Sequence, residues 1–232
     1  MSTRRTVFRL TIFTILFALL VSGLSAQEIR TASQFFDALA ERYSGIVDYS
    51  AQIRMEREEA AYEGRISYRG PNQIRIDFED PEEQVLVSDG RIMQVYIPQF
   101  NVVLEQELAE EDDDGDGGTG LATQEGLSLM RDGYSIAYLD SPEPTPLEEG
   151  SEEMVTKLRL NWKSAGEGFR QLTLSVTEEL LIRRIEAVTV SYEEIVFDFT
   201  DIVLNEGIPT TRFDYEVPAS ANVFSGFLFG EN

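Results

Sequence analysis

Between Gly64 and Pro98 the apolar residues fall at every second position. Ile66 and Tyr68 share one face of a strand, with Arg65, Ser67 and Arg69 on the other. After the turn Gly70-Pro71-Asn72, Ile74, Ile76 and Phe78 alternate with Arg75, Asp77 and Glu79. Asp80-Pro81 breaks the chain, Val85 and Val87 resume the pattern, and Asp89-Gly90 marks a tight hairpin. Strict alternation means that one face of an antiparallel sheet meets apolar material and the other meets water.

The same signal recurs later. Leu158, Leu160 and Trp162 alternate, as do Leu172, Leu174 and Val176, then Ile195, Phe197 and Phe199, with Phe213 and Tyr215 near the end. Helical spacing is found twice. Thr31 and Gln34 have capping-box spacing ahead of Phe35, Phe36, Leu39 and Tyr43, which predicts a helix over 32–44 stopped at Gly45. Leu121–Met130, with Leu127 and Met130 on one side, predicts a second short helix. The sum is a mainly β protein of about 10–11 antiparallel strands with two or three short helices. A sheet of that size must curl, and a curled sheet has one concave apolar side. Two short helices are too few to form an outer layer, but they can cover the mouth of a concavity. Periodicity alone does not separate a filled core from a cavity, because both need the same alternation.

Charge and composition narrow the partners. Residues 1–26 have the anatomy of a removable signal peptide: Arg4, Arg5 and Arg9, an apolar run from Leu10 to Val21, then small residues. Without them, 16 basic side chains face 42 acidic ones, a net of −26. Such a field repels nucleic acid and anionic headgroups. Cysteine and histidine are absent, and lysine is limited to Lys157 and Lys163. No disulfide is available, nor a histidine base for a nucleophilic triad, nor the commonest metal ligand. No phosphate loop or nucleophile elbow is present, so neither catalysis nor a cofactor is expected. Asp112, Asp114 and Asp116 mimic the first positions of a calcium loop, but Thr123 stands where its bidentate Glu belongs. The acidic stretch 109–120 therefore reads as a solvated loop, and the Pro-rich acidic stretch 141–153 as a second loop or linker. The expected organisation is a signal peptide over 1–26, one domain over 27–225 and a tail over 226–232.

The run Gly64-Arg65-Ile66 through Arg69-Gly70-Pro71-Asn72, Ile74-Arg75-Ile76-Asp77-Phe78, Pro81, Val85-Leu86-Val87-Ser88-Asp89-Gly90 and Tyr96-Ile97-Pro98 resembles the periplasmic outer-membrane lipoprotein carrier family, LolA. Phe169–Leu172, Ile195–Ile202 and Asn205 to Pro209, followed by Phe213 and Val217-Pro218, are similar to that family's closing strands.

The resemblance implies an incomplete, unclosed antiparallel barrel with a helical lid over an apolar cavity. It also implies a periplasmic, monomeric carrier that takes acylated lipoproteins from an inner-membrane ABC transporter to an outer-membrane acceptor. A lipoprotein or lipid sensor, or another β-rich interaction protein of the same fold, is the alternative. The expected acyl-chain lining is Ile66, Tyr68, Ile74, Ile76, Phe78, Val85 and Val87 from the first half. Leu160, Trp162, Leu174, Phe197 and Phe213 complete it from the second. The lid is expected to present Phe35, Phe36, Leu39, Leu127 and Met130, and a basic residue, Arg69 or Arg75, to latch it.

Overall fold

In a computed structural model, residues 30–58, 60–108, 122–164 and 168–226 are described. The leader 1–26, the acidic stretch 109–120 with its aspartates, Leu121 and the tail beyond Gly226 lie outside the described residues.

Helix α1 (Ala32–Ser44) starts where its caps dictate: Gln34 N donates to Thr31 Oγ1 at 3.2 Å, and Thr31 N donates to Gln34 Oε1 at 2.8 Å. Five strands follow in a meander: β1 (Asp48–Arg57), β2 (Ala60–Arg69), β3 (Gln73–Asp80), β4 (Val85–Ser88) and β5 (Ile92–Ile97), then β6 (Val102–Glu107). Helix α2 (Gln124–Gly133) begins later than its apolar spacing suggests, because the hydroxyl of Thr123 caps it by accepting from Gly126 N. It passes directly into β7 (Tyr134–Tyr138). The remaining strands are β8 (Thr145–Pro146), β9 (Met154–Trp162), β10 (Phe169–Val176), β11 (Ile182–Thr189), β12 (Glu194–Leu204) and β13 (Asn222–Ser225).

All thirteen strands belong to one unclosed sheet, ordered β13-β6-β5-β4-β3-β2-β1-β12-β11-β10-β9-β7, with β8 beside β9. Every pairing is antiparallel except β13 on β6. The excess over the expected strand count comes largely from β8 and β13, which are too short to show alternation. The stretch 141–153 is more than a loop. Besides β8 it buries Leu147, whose amide donates to Glu153 O at 2.8 Å, and Arg184 and Arg183 pair with Glu148 and Glu153.

The two halves meet where β1 pairs with both β2 and β12. β2 is held close to β3 there: a Cβ on Gly64 would lie 2.4 Å from Asp77 O and 2.9 Å from Phe78 Cα, beside a register shift in the ladder. Only glycine fits this approach. Gly64→Ala should lower stability by about 1–3 kcal/mol, read as a lower urea midpoint. An unchanged midpoint would show that the two strands can move apart at no cost.

Candidate functional site

Residues directly opposite in a ladder point to the same side, so the register assigns every strand residue to a face. Ile74 lies opposite Tyr68, and Tyr68 opposite Tyr49. Ile76 lies opposite Ile66, and Ile66 opposite Ala51. Across the junction, Met55 faces Phe197, Phe197 faces Ile185, Ile185 faces Leu174, and Leu174 faces Leu158. One continuous apolar face therefore runs from β4 to β7. Both helices lie on it. Phe36, Leu39 and Leu127 are wholly buried and Met130 nearly so, in one cluster with Tyr49, Ile66, Tyr68, Ile74, Leu160 and Leu174. Phe35 is half-buried against the same cluster and packs 6.1 Å from the Tyr138 ring.

Among the described residues the polar links between the helices and the sheet are local, and two lie at the helix ends: Tyr138 Oη donates to Thr31 O at 3.4 Å, and Lys163 Nζ donates to Arg131 O at 3.3 Å and Asp132 O at 2.9 Å. The Tyr43 hydroxyl on α1 accepts from Ile182 N at 3.0 Å, and Arg42 Nε reaches Glu179 O at 3.4 Å. Tyr49 donates to Ala122 O at 3.2 Å just ahead of α2. Asp37 and Arg131 form an exposed ion pair between the helices. Tyr43, Ile46, Tyr49, Ala122, Ile182, Phe199, Ile202 and Leu204 enclose a cleft with room for about one water molecule. Among the described residues, Phe36, Leu39, Leu127 and Met130 of the helices are packed into the cluster beneath them.

Several expected positions fall on the opposite face. Val85 lies opposite Asp77, and Val87 opposite Arg75, so both point away from the helices. Leu86, opposite Ile76, takes the place assigned to them. Phe213, buried on a 3-10 turn (Thr210–Phe213), sits on that far side too, where residues 205–215 cross the sheet as a strap. Arg69 and Arg75 hold this strap rather than a lid. Arg69 donates to Ile208 O. Arg75 pairs with Asp77 at 2.9 Å and donates to Arg212 O at 3.3 Å and Asp214 O at 3.4 Å, while Arg212 pairs with Asp77. Both arginines are odd-numbered in strands whose even-numbered residues face the helices, so neither reaches α1 or α2. Of the remaining expected residues, Phe78 and Trp162 are half-buried on the helix-bearing face, opposite Gly64 and Tyr134.

No family model matches the chain. An outer-membrane lipoprotein carrier protein of Legionella pneumophila (strain Corby) is 25% identical over 207 residues, spanning 87% of this chain and 90% of that one. A protein of the same name from Methylibium petroleiphilum is 25% identical over 70% of this chain and 72% of its own. The chain resembles the outer-membrane lipoprotein carriers. Its fold matches that of an uncharacterized conserved protein from Thermus thermophilus, at 12% identity and TM-score 0.52 over 82% of this chain and 98% of that one. It also matches MucB, at 14% identity and TM-score 0.52 over 83% of this chain and 64% of that one. No helix among the described residues is long and apolar enough to cross a membrane, and none of their acidic side chains form a metal-binding group.

In this carrier-like fold the helix-bearing face is apolar but carries three buried phenols that single residues of an alternation do not reveal. Burial pushes the Tyr43 hydroxyl up to about 12, against the help of the Ile182 amide, and raises Tyr68 to about 12. It also raises Tyr49 well above the ordinary phenol value, with Tyr43 and Tyr68 adding to the effect. Each keeps its proton longer folded than unfolded, where phenols titrate near 10.0. Their contribution to stability is whole below pH 10 and is lost as pH rises toward 12 and above. The last part of the tyrosinate absorbance, from these three of the nine tyrosines, should therefore rise late and together with loss of the circular-dichroism signal. Full ionisation near pH 10 with the fold intact would contradict this packing. For the strap, Arg69→Leu should speed amide exchange over residues 205–215 and cost about 1–2 kcal/mol, leaving 32–44 at wild-type protection. Loss of protection confined to 32–44 would return Arg69 to the lid.

Proposed function

We propose that the protein is a periplasmic carrier that holds the acyl chains of lipoproteins on the helix-bearing face of its sheet and shuttles them from the inner to the outer membrane. In this reading residues 1–26 are a signal peptide and 27–225 a single carrier domain. The cargo comes from an inner-membrane ABC transporter and passes to an outer-membrane acceptor, without covalent chemistry. The observation that carries the proposal is the nature of the cover. Two amphipathic helices, tied down by a handful of polar links, plug an apolar face with their own side chains, and the relatives that span most of the chain are named outer-membrane lipoprotein carrier proteins.

Magnitudes favour exchange over permanent binding. Burying acyl chain contributes about 0.8 kcal/mol per CH₂, so about fifteen methylenes are worth roughly 12 kcal/mol. Burying each of Phe36, Leu39, Leu127 and Met130 is worth about 1.5–3 kcal/mol, or roughly 6–12 kcal/mol together. Lifting the helices costs about what the chain gains, and the balance leaves a ligand that can be passed on. The acyl lining in this reading is Ile66, Tyr68, Ile74, Ile76, Phe78, Leu160, Trp162, Leu174 and Phe197, with Phe35, Phe36, Leu39, Leu127 and Met130 as the displaceable cover.

Purified protein should take up a fluorescent acyl probe or co-elute with fatty-acyl material. Leu39→Ala should bind the probe several-fold more tightly while losing about 2–5 kcal/mol of stability, because the deleted side chain no longer competes for the face. A protein that takes up no acyl probe, or a Leu39→Ala variant that binds it more weakly, would overturn the proposal.

A further inference from the structure

Two tyrosines line a loosely filled point of the helix-bearing face. Tyr43, from the last turn of α1, and Tyr49, from the start of β1, both line the one-water cleft. The cleft is partly open to solvent; Ile46 is buried in its wall, and the next residue, Val47, is 62% exposed. Neither hydroxyl is used to capacity. A phenol offers one donor and two acceptor sites. Tyr43 accepts from Ile182 N, and its own proton has no acceptor among the described residues although the side chain is buried. The Tyr49 proton goes to Ala122 O, a main-chain group on the approach to α2 that would leave with that helix.

We propose that these two hydroxyls form the subsite for the carbonyl of an acyl ester, so that the face selects esters over plain hydrocarbon. The inference rests on the carrier reading and names the chemistry that reading leaves open. A hydrocarbon tail needs no polar partner, but an ester carbonyl taken out of water needs a donor. The proton of Tyr43 is such a donor in the cleft, and the proton of Tyr49 becomes one when Ala122 moves off. The tail then runs inward beneath α1 and α2, and the head stays at the opening. The lining itself holds no Lys or Arg, although the Arg42 guanidinium lies close enough to act on the Tyr43 hydroxyl.

The test compares two probes of equal chain length on the full chain, a pyrene-labelled alkane and the methyl ester of the corresponding pyrene-labelled acid. Wild type should bind the ester about three- to tenfold more tightly, the worth of one net hydrogen bond. In Tyr43→Phe and Tyr49→Phe, which keep the rings, the ester-to-alkane ratio should fall toward one. Equal affinity of wild type for the two probes overturns the subsite while leaving the carrier reading intact, and this outcome needs no variant to fold. A wild-type ratio retained in both variants overturns it as well. Uptake of neither probe by wild type ends both the carrier reading and the subsite.

Discussion

An apolar sheet face cannot stand bare in water, and in this chain the cover is supplied by two short helices that are attached to the sheet mainly by the side chains they bury. Phe36, Leu39, Leu127 and Met130 pack against the apolar face that alternation in nine strands, β4 to β7, creates. The hydrophobic term is non-directional, so those side chains can be exchanged for any apolar material of similar area. Among the described residues the polar links are local: the phenols of Tyr43, Tyr49 and Tyr138, Arg42, Lys163 on the last carbonyls of α2, and one exposed ion pair. Exposed pairs such as Asp37–Arg131 contribute little. The cover is thus held by the kind of interaction for which a ligand can best compete.

The opposite face is built differently. There Asp48, Ser67, Arg69, Arg75 and Asp77 meet the strap, Ser67 and Asp77 through its Arg212, by charge-assisted and main-chain hydrogen bonds. Such contacts are directional and costly to break when half-buried. Asp198, between Arg183 and Arg184, does the same for the segment carrying Leu147. One face is pinned and the other is greased, and motion is accordingly expected on the helix side alone.

Much of this was legible in the residues. The Thr31–Gln34 pair fixed the start of α1, and the alternation of Ile66, Tyr68, Ile74 and Ile76 identified their shared face correctly. Val85 and Val87 misled because alternation tells which residues share a face but not which face it is. The turn after Asp80 sets Val85 opposite Asp77, and only the ladder reveals that. The outward valines lie on the side that the strap crosses about 125 residues further along, which no local pattern encodes. The same strap captured Arg69 and Arg75. In 141–153 a single Leu147 among prolines and acids was enough to anchor a segment whose composition reads as solvated. The buried phenols of Tyr43 and Tyr49 were hidden as ordinary members of an amphipathic pattern, their hydroxyl partners being main-chain atoms far along the chain.

The competition between cover and ligand is tested most directly by amide hydrogen exchange with and without a saturating acyl probe. If the ligand replaces the helices' side chains, protection over 32–44 and 122–133 falls on binding, while β1, β2, β10 and β11 keep theirs. Helices that remain equally protected, or become more so, in the probe-bound protein would mean that the face beneath them is never vacated and that the ligand is held elsewhere.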